Sequence, residues 1–150
     1  MKIFFTLFAG FMMVCFLSSI ADAHCQIPCG IYDDEMRVEQ ISEDIKTVEK
    51  AMKQVTALSR EKTIDYNQLV RWINNKEEHA TRIMDTVSRY FMAQRITPDQ
   101  KQYMEKLTVL HKLMLSAMKS KQTLDLNHIE SMRSFLEEFR SLYFEDNHSH

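Results

Sequence analysis

The chain has 150 residues, with 19 Lys and Arg against 21 Asp and Glu and a formal net charge of −2 at pH 7. That balance shows no basic surplus or stripe, which argues against a nucleic-acid binder. The length suits a single domain that buries about two-thirds of its unfolded surface without needing a disulfide staple.

Residues 1–23 read as a secretory signal peptide. Lys2 supplies a positive start, Ile3 to Leu17 is almost wholly apolar, and Ala21-Asp22-Ala23 places small residues where a signal peptidase cuts. The apolar run is shorter than the roughly 20 residues of a membrane-spanning helix, so cleavage is expected rather than anchoring. The cut removes one base (Lys2), one acid (Asp22) and Cys15, and leaves the net charge unchanged. The expected organisation is a removed leader over 1–23, a short irregular hook over 24–32, and one helical domain over 33–150. The expected destination is outside the cytoplasm, periplasmic or secreted, with no membrane association after cleavage.

Beyond the hook the sequence predicts four amphipathic helices. The first starts at Asp33 or Asp34, either able to cap backbone N–H groups. Its seam is Val38, Ile41, Ile45, Val48, Met52 and Val55, spaced by three and four. Ser59 to Thr63 is polar and closes it. Asp65 caps the second helix, whose stripe is Leu69, Trp72, Ile73, Ala80, Ile83, Val87, Tyr90 and Phe91. Thr97-Pro98-Asp99-Gln100 predicts a capping box, with Thr97 at N-cap, Pro98 at N1 and Gln100 at N3. Tyr103, Leu107, Leu110, Met114 and Ala117 follow. The last helix starts near Asp125 and uses Ile129, Met132, Leu136, Phe139 and Tyr143. Short polar links between four such segments predict an all-α, antiparallel up-down four-helix bundle. Methionines and aromatics on these seams are read as core.

The chemistry concentrates in His24-Cys25-Gln26-Ile27-Pro28-Cys29-Gly30-Ile31-Tyr32. A cut after Ala23 makes His24 the N-terminus, so one residue carries both a free amine and an imidazole. A disulfide is the ordinary reading of a cysteine pair in an exported chain. Cys25–Cys29 would close only a tiny loop and add little stability, so the pair makes better sense as metal ligands. The α-amine, with a reference pKa of about 7.7–8, can give up its proton to a metal at neutral pH. Amine, Cys25 amide nitrogen and Cys25 thiolate form fused chelate rings, and Cys29 reaches the fourth position if Pro28 turns the chain. Such an N,S set suits Ni(II) or Cu(II) better than tetrahedral zinc, with the imidazole left over as an axial ligand. Thiolates and a deprotonated amide stabilise a higher oxidation state, which points to redox chemistry.

This stretch resembles the nickel-binding hook of the nickel superoxide dismutases, H-C-x-x-P-C-G-x-Y, at every fixed position. Met36-Arg37-Val38-Glu39 resembles the start of that family's first helix. The resemblance implies one nickel ion per chain, held by His24, Cys25 and Cys29. It implies that Pro28 shapes the turn and that Tyr32 stands over the open face. The backbone N–H groups of Gln26 and Cys29 would hold the superoxide anion, and Glu39 would orient the axial imidazole. Gln26 stands where some members have Asp, so its side chain is no essential carboxylate. A second-helix arginine expected from the family has no clear counterpart; Arg71 and Lys76 are the candidates. The resemblance also implies a homohexamer. A non-catalytic exported carrier or buffer of nickel or copper is the alternative use of the same hook.

Other groups carry less. His79, His111 and His128 read as surface or capping residues. The one E-x-x-H, Glu145 to His148, lies in the tail, which disfavours a di-iron bundle. Glu43, Asp44, Lys46, Glu49, Lys50 and Lys53 read as a solvated helix face.

Overall fold

The computed structural model describes residues 34–144, and the structural statements below concern these residues. The hook, the leader and the tail lie outside them. Helix α1 spans Asp34–Leu58 and α2 spans Tyr66–Asp85. The second helix continues without a break as a π-helical stretch, Thr86–Arg95. Helix α3 spans Tyr103–Gln122 and α4 spans Asn127–Phe144.

Each helix packs on its neighbour in sequence, and α1 closes the ring against α4. The directions alternate. Asp34, at the start of α1, meets Tyr90 near the end of the second helix and Tyr143 near the end of the fourth. The whole predicted seam of α1 is buried, as are Ile129, Met132, Leu136, Phe139 and Tyr143 of α4. At the end where α1 begins, the core is aromatic. Phe91 meets Phe139 and Tyr143 edge-on at centroid distances of 4.9 and 5.7 Å, and Phe139 stacks on Tyr143 at 5.2 Å. Edge-on and offset contacts of this kind favour the ring quadrupoles beyond simple burial.

Two helix starts follow the capping logic of the sequence. Asp65 accepts from Gln68 N at 3.1 Å, and Asp125 Oδ1 accepts from Asn127 N at 3.0 Å. The third does not. Thr97 to Gln100 forms a turn closed by Gln100 N donating to Thr97 O at 3.1 Å, and α3 begins only at Tyr103. The Gln100 side chain reaches back to Arg95 O at 2.7 Å instead of to the Thr97 backbone. It thereby caps the end of the π-helical stretch, whose wide final turn leaves a carbonyl needing a donor. Gln102 enters α3 at φ 52, ψ 30, in the left-handed region.

The stripe of α2 is also shorter than its pattern. Ala80, Ile83, Val87, Tyr90 and Phe91 are buried, whereas Leu69 and Trp72 are half-buried and Ile73 is exposed. Lys76 explains the difference. Buried on α2, it donates to Ser120 O at 3.0 Å and also to Lys121 O, at the last turn of α3. Earlier residues of α2 therefore lie past the end of α3 and have less to pack on. Trp72 uses Lys50, whose Nζ lies 5.6 Å from its ring centroid. The charged face of α1 is not wholly solvated either. Asp44 turns inward and pairs with His79 Nδ1 at 2.6 Å, both side chains being largely covered.

A left-handed residue with a Cβ costs about 1 kcal/mol relative to glycine. Gln102→Gly is expected to raise the thermal midpoint by about 4 °C in calorimetry. Removal of the Lys76 ammonium strands buried carbonyls, so Lys76→Ala is expected to cost about 2 kcal/mol in urea unfolding.

Candidate functional site

Of the residues singled out in the sequence, His24, Cys25, Gln26, Pro28, Cys29 and Tyr32 lie outside the described residues. Glu39 lies on the exposed side of α1, 3.0 Å from Arg140 Nη1 on α4. The two second-helix candidates do not gather at the end where α1 begins. Arg71 is exposed in the early turns of α2, toward the other end of the bundle. Lys76 is committed to the last carbonyls of α3, where a cation complements the negative end of the helix dipole.

The end that receives the N-terminal segment is organised by Asp34. Its Oδ1 accepts from Tyr90 OH and from Arg95 Nε, the latter at 3.1 Å. Its Oδ2 accepts from Tyr143 OH at 2.7 Å. Arg95 Nη2 also donates to the Tyr90 hydroxyl at 3.1 Å. One carboxylate thus binds the first residue of α1 to the second helix and to the fourth.

The π-helical stretch makes this possible. In an α-helix, residues five apart point about 140° apart around the axis. In a π-helix the i to i+5 bond widens the turn and sets such residues on one side. Ile96 N donates to Phe91 O at 3.0 Å, an i to i+5 bond at the end of this stretch. Tyr90 and Arg95, also five apart, consequently face the same carboxylate.

Burial pushes the Asp34 carboxyl up, but hydrogen bonds from Tyr90 and Tyr143, together with the Arg95 charge, outweigh it and hold the group below the usual carboxylate range. Burial, and then the neighbouring Asp34, push both phenols above the ordinary tyrosine value, Tyr143 well above it. Both therefore stay neutral donors near pH 7. Cations surround them. The guanidinium carbons of Arg37 and Arg95 lie 5.1 and 4.8 Å from the Tyr90 ring centroid, and Lys106 Nζ lies 5.9 Å from that of Tyr143. Among the described residues, Arg37, Arg95 and Lys106 thus place cationic groups against the two phenol rings.

The sequence pattern assigned Tyr90 and Tyr143 to the core and did not single out Arg95. A usable signal was present all the same. Two tyrosines on apolar seams, at the ends of two helices that point the same way, both need a hydroxyl partner once buried. Among the described residues there is no group of three or more His, Cys, Asp or Glu able to hold a metal ion. None of the described helices is long and apolar enough to cross a membrane.

The class of protein is thus an all-α up-down bundle with a polar cluster where its N-terminal segment enters. A family model for nickel-containing superoxide dismutase matches residues 19–147, most of the chain. The chain belongs to that family, and by that membership it is an oxidoreductase. No curated protein and no solved structure matched it.

The low Asp34 carboxyl makes the cluster acid-sensitive. A depressed folded-state pKa contributes stability that is fully present above the unfolded value near 3.8 and is lost as pH falls through the folded value. Asp34→Asn is expected to be less stable than the parent at pH 7. The gap should stay constant down to about pH 5 and close below about pH 4, as read from urea midpoints.

Proposed function

We propose that the protein dismutes superoxide at a nickel centre built by residues 24–29 after removal of residues 1–23. Two superoxide anions and two protons give dioxygen and hydrogen peroxide. One observation carries this reading: the complete H-C-x-x-P-C-G-x-Y motif at 24–32 ends two residues before Asp34, within the matched span of a nickel-containing superoxide dismutase family. The donor chemistry fits the metal: the His24 amine and imidazole, the Cys25 amide nitrogen and the Cys25 and Cys29 thiolates would hold nickel with a nitrogen and sulfur set that suits it. The described bundle offers no rival cluster of ligands. Bound there, nickel supplies one-electron chemistry between Ni(III) and Ni(II).

The chain's own groups take the remaining roles. His24 gives amine and imidazole, Cys25 amide nitrogen and thiolate, and Cys29 the second thiolate. Pro28 turns the chain, Tyr32 screens the open face, and the N–H groups of Gln26 and Cys29 hold the anion. Glu39 orients the imidazole. The negative net charge does not attract an anion, so attraction falls to local cations, Arg37 first among them. The reading includes one nickel per chain, export to the periplasm or medium, and a homohexamer. The leader sequence supports export, and the family resemblance supports the stoichiometry and assembly.

The exported protein is expected to begin at His24 by intact mass, to hold nickel, and to dismute superoxide. An alanine added before His24 moves the amine away from the metal, and activity should fall to background. Cys25→Ser and Cys29→Ser should each abolish nickel binding. Retained leader residues, or full activity in the extended variant, would overturn the chelate. A nickel-loaded protein inactive toward superoxide would leave a carrier role instead. Arg37→Gln is expected to slow the reaction several-fold at low salt and to flatten its dependence on ionic strength.

A further inference from the structure

We propose that Asp34 and Arg95 form a clamp that fixes the root of the N-terminal metal-binding segment to the bundle, with Arg95 as the positioning residue. The inference rests on the nickel centre proposed above, but its evidence comes from the described bundle. Asp34 follows Tyr32 by two residues, so chain connectivity alone keeps their Cα atoms within about 7 Å. Whatever orients the first turn of α1 therefore orients the direction in which the hook leaves the bundle.

First turns of helices ordinarily fray, because their leading N–H groups lack partners within the helix. This one is tied down from two sides. Arg95, Tyr90 and Tyr143 bind both oxygens of Asp34. Arg37, three residues on, lies over the Tyr90 ring, and Glu35 pairs with Arg140 of α4. The bonds that hold Asp34 come from two other helices, so the root is referenced to the whole bundle and not to α1 alone.

Arg95 is the member that needs special construction. It sits at the last position of a ten-residue π-helical stretch, a conformation rarer and less favourable than the α-helix it interrupts. With continuous α winding, Tyr90 and Arg95 would diverge, and only one could face Asp34. The fork of the guanidinium uses Nε on the carboxylate and Nη2 on the phenol at once. An ammonium cannot reproduce that pair of directions. Chelates depend on sub-ångström placement of their supporting groups, so loosening the root should be felt at the metal.

The test uses the processed full chain, metal-free and nickel-loaded, in four variants: Arg95→Gln, Arg95→Lys, Asp34→Asn and the Asp34→Asn/Arg95→Gln double. Met52→Ala, buried on α1 away from the clamp, serves as a control for lost stability. In the metal-free chain, hydrogen exchange over residues 34–40 should quicken in the clamp variants and not selectively in Met52→Ala. In the nickel-loaded chain, nickel should dissociate about tenfold faster from Arg95→Gln, within the range seen when supporting residues of metal sites are removed. Arg95→Lys should behave like Arg95→Gln, and the double variant should be no worse than the poorer single one. Parent-like exchange and nickel release in Arg95→Gln, or full rescue by lysine, would overturn the clamp. Superoxide activity is read separately. A parent protein inactive with nickel bound would overturn the enzymatic reading, while exchange and nickel release would still decide the clamp.

Discussion

The carboxylate of Asp34 is the contact on which the functional end of this molecule depends. It lies at the first residue of α1, yet its partners come from the ends of two other helices. A carboxylate in a partly covered setting would ordinarily resist ionisation. Here two neutral phenols and a guanidinium supply enough donors to keep it charged. The same donors stay fixed because the carboxylate holds them. Phe91, Phe139 and Tyr143 extend the cluster into the apolar core, so the polar contacts rest on packed rings and not on solvent.

The two ends of the bundle solve different problems. Toward the far end, Lys76 spans from α2 to the terminal carbonyls of α3, satisfying acceptors that a helix cannot satisfy itself. That is structural chemistry. At the near end the chain winds as a π-helix, enters α3 through a left-handed Gln102, and gathers Arg37, Arg95 and Lys106 around two phenols. Departures from ideal geometry therefore collect at the end where the N-terminal segment enters, where irregular winding is most often functional.

In the proposed centre, scaffold and chemistry are divided between two parts of one chain. The described bundle carries no cluster of metal ligands, whereas nine residues of hook carry a full set of soft and borderline donors. One of those donors, the His24 amine, exists only after cleavage. Export and activation would then be a single chemical event. An unprocessed chain would fold its helices and still lack the chelate.

Much of this was open to reading from the residues alone. Helical periodicity located four helices and the buried seams of the first and last, because burial of an apolar stripe dominates the energetics of a bundle. On α3 only Leu110 and Ala117 of the expected stripe are buried, and Val109 and Leu113, which it left out, complete that face. The resemblance to the family followed from a dense motif in which His24, Cys25, Pro28, Cys29 and Tyr32 each have a chemical reason, and the match over residues 19–147 established it. Tertiary structure decided what local rules could not. Asp34 reads as a helix cap, since Asp at that position caps helices, but a carboxylate accepts from whichever donors packing brings nearest. Thr97 to Gln100 reads as a capping box, but the Gln100 amide closes the π-helical end before it. Tyr90 and Tyr143 read as apolar core, but each also carries a hydroxyl whose partner is 56 or 109 residues away in sequence. Arg95 joins them only because the helix widens by one residue per turn. Periodicity is a property of neighbours along the chain, whereas the pairing of buried polar groups is settled by which helix ends meet.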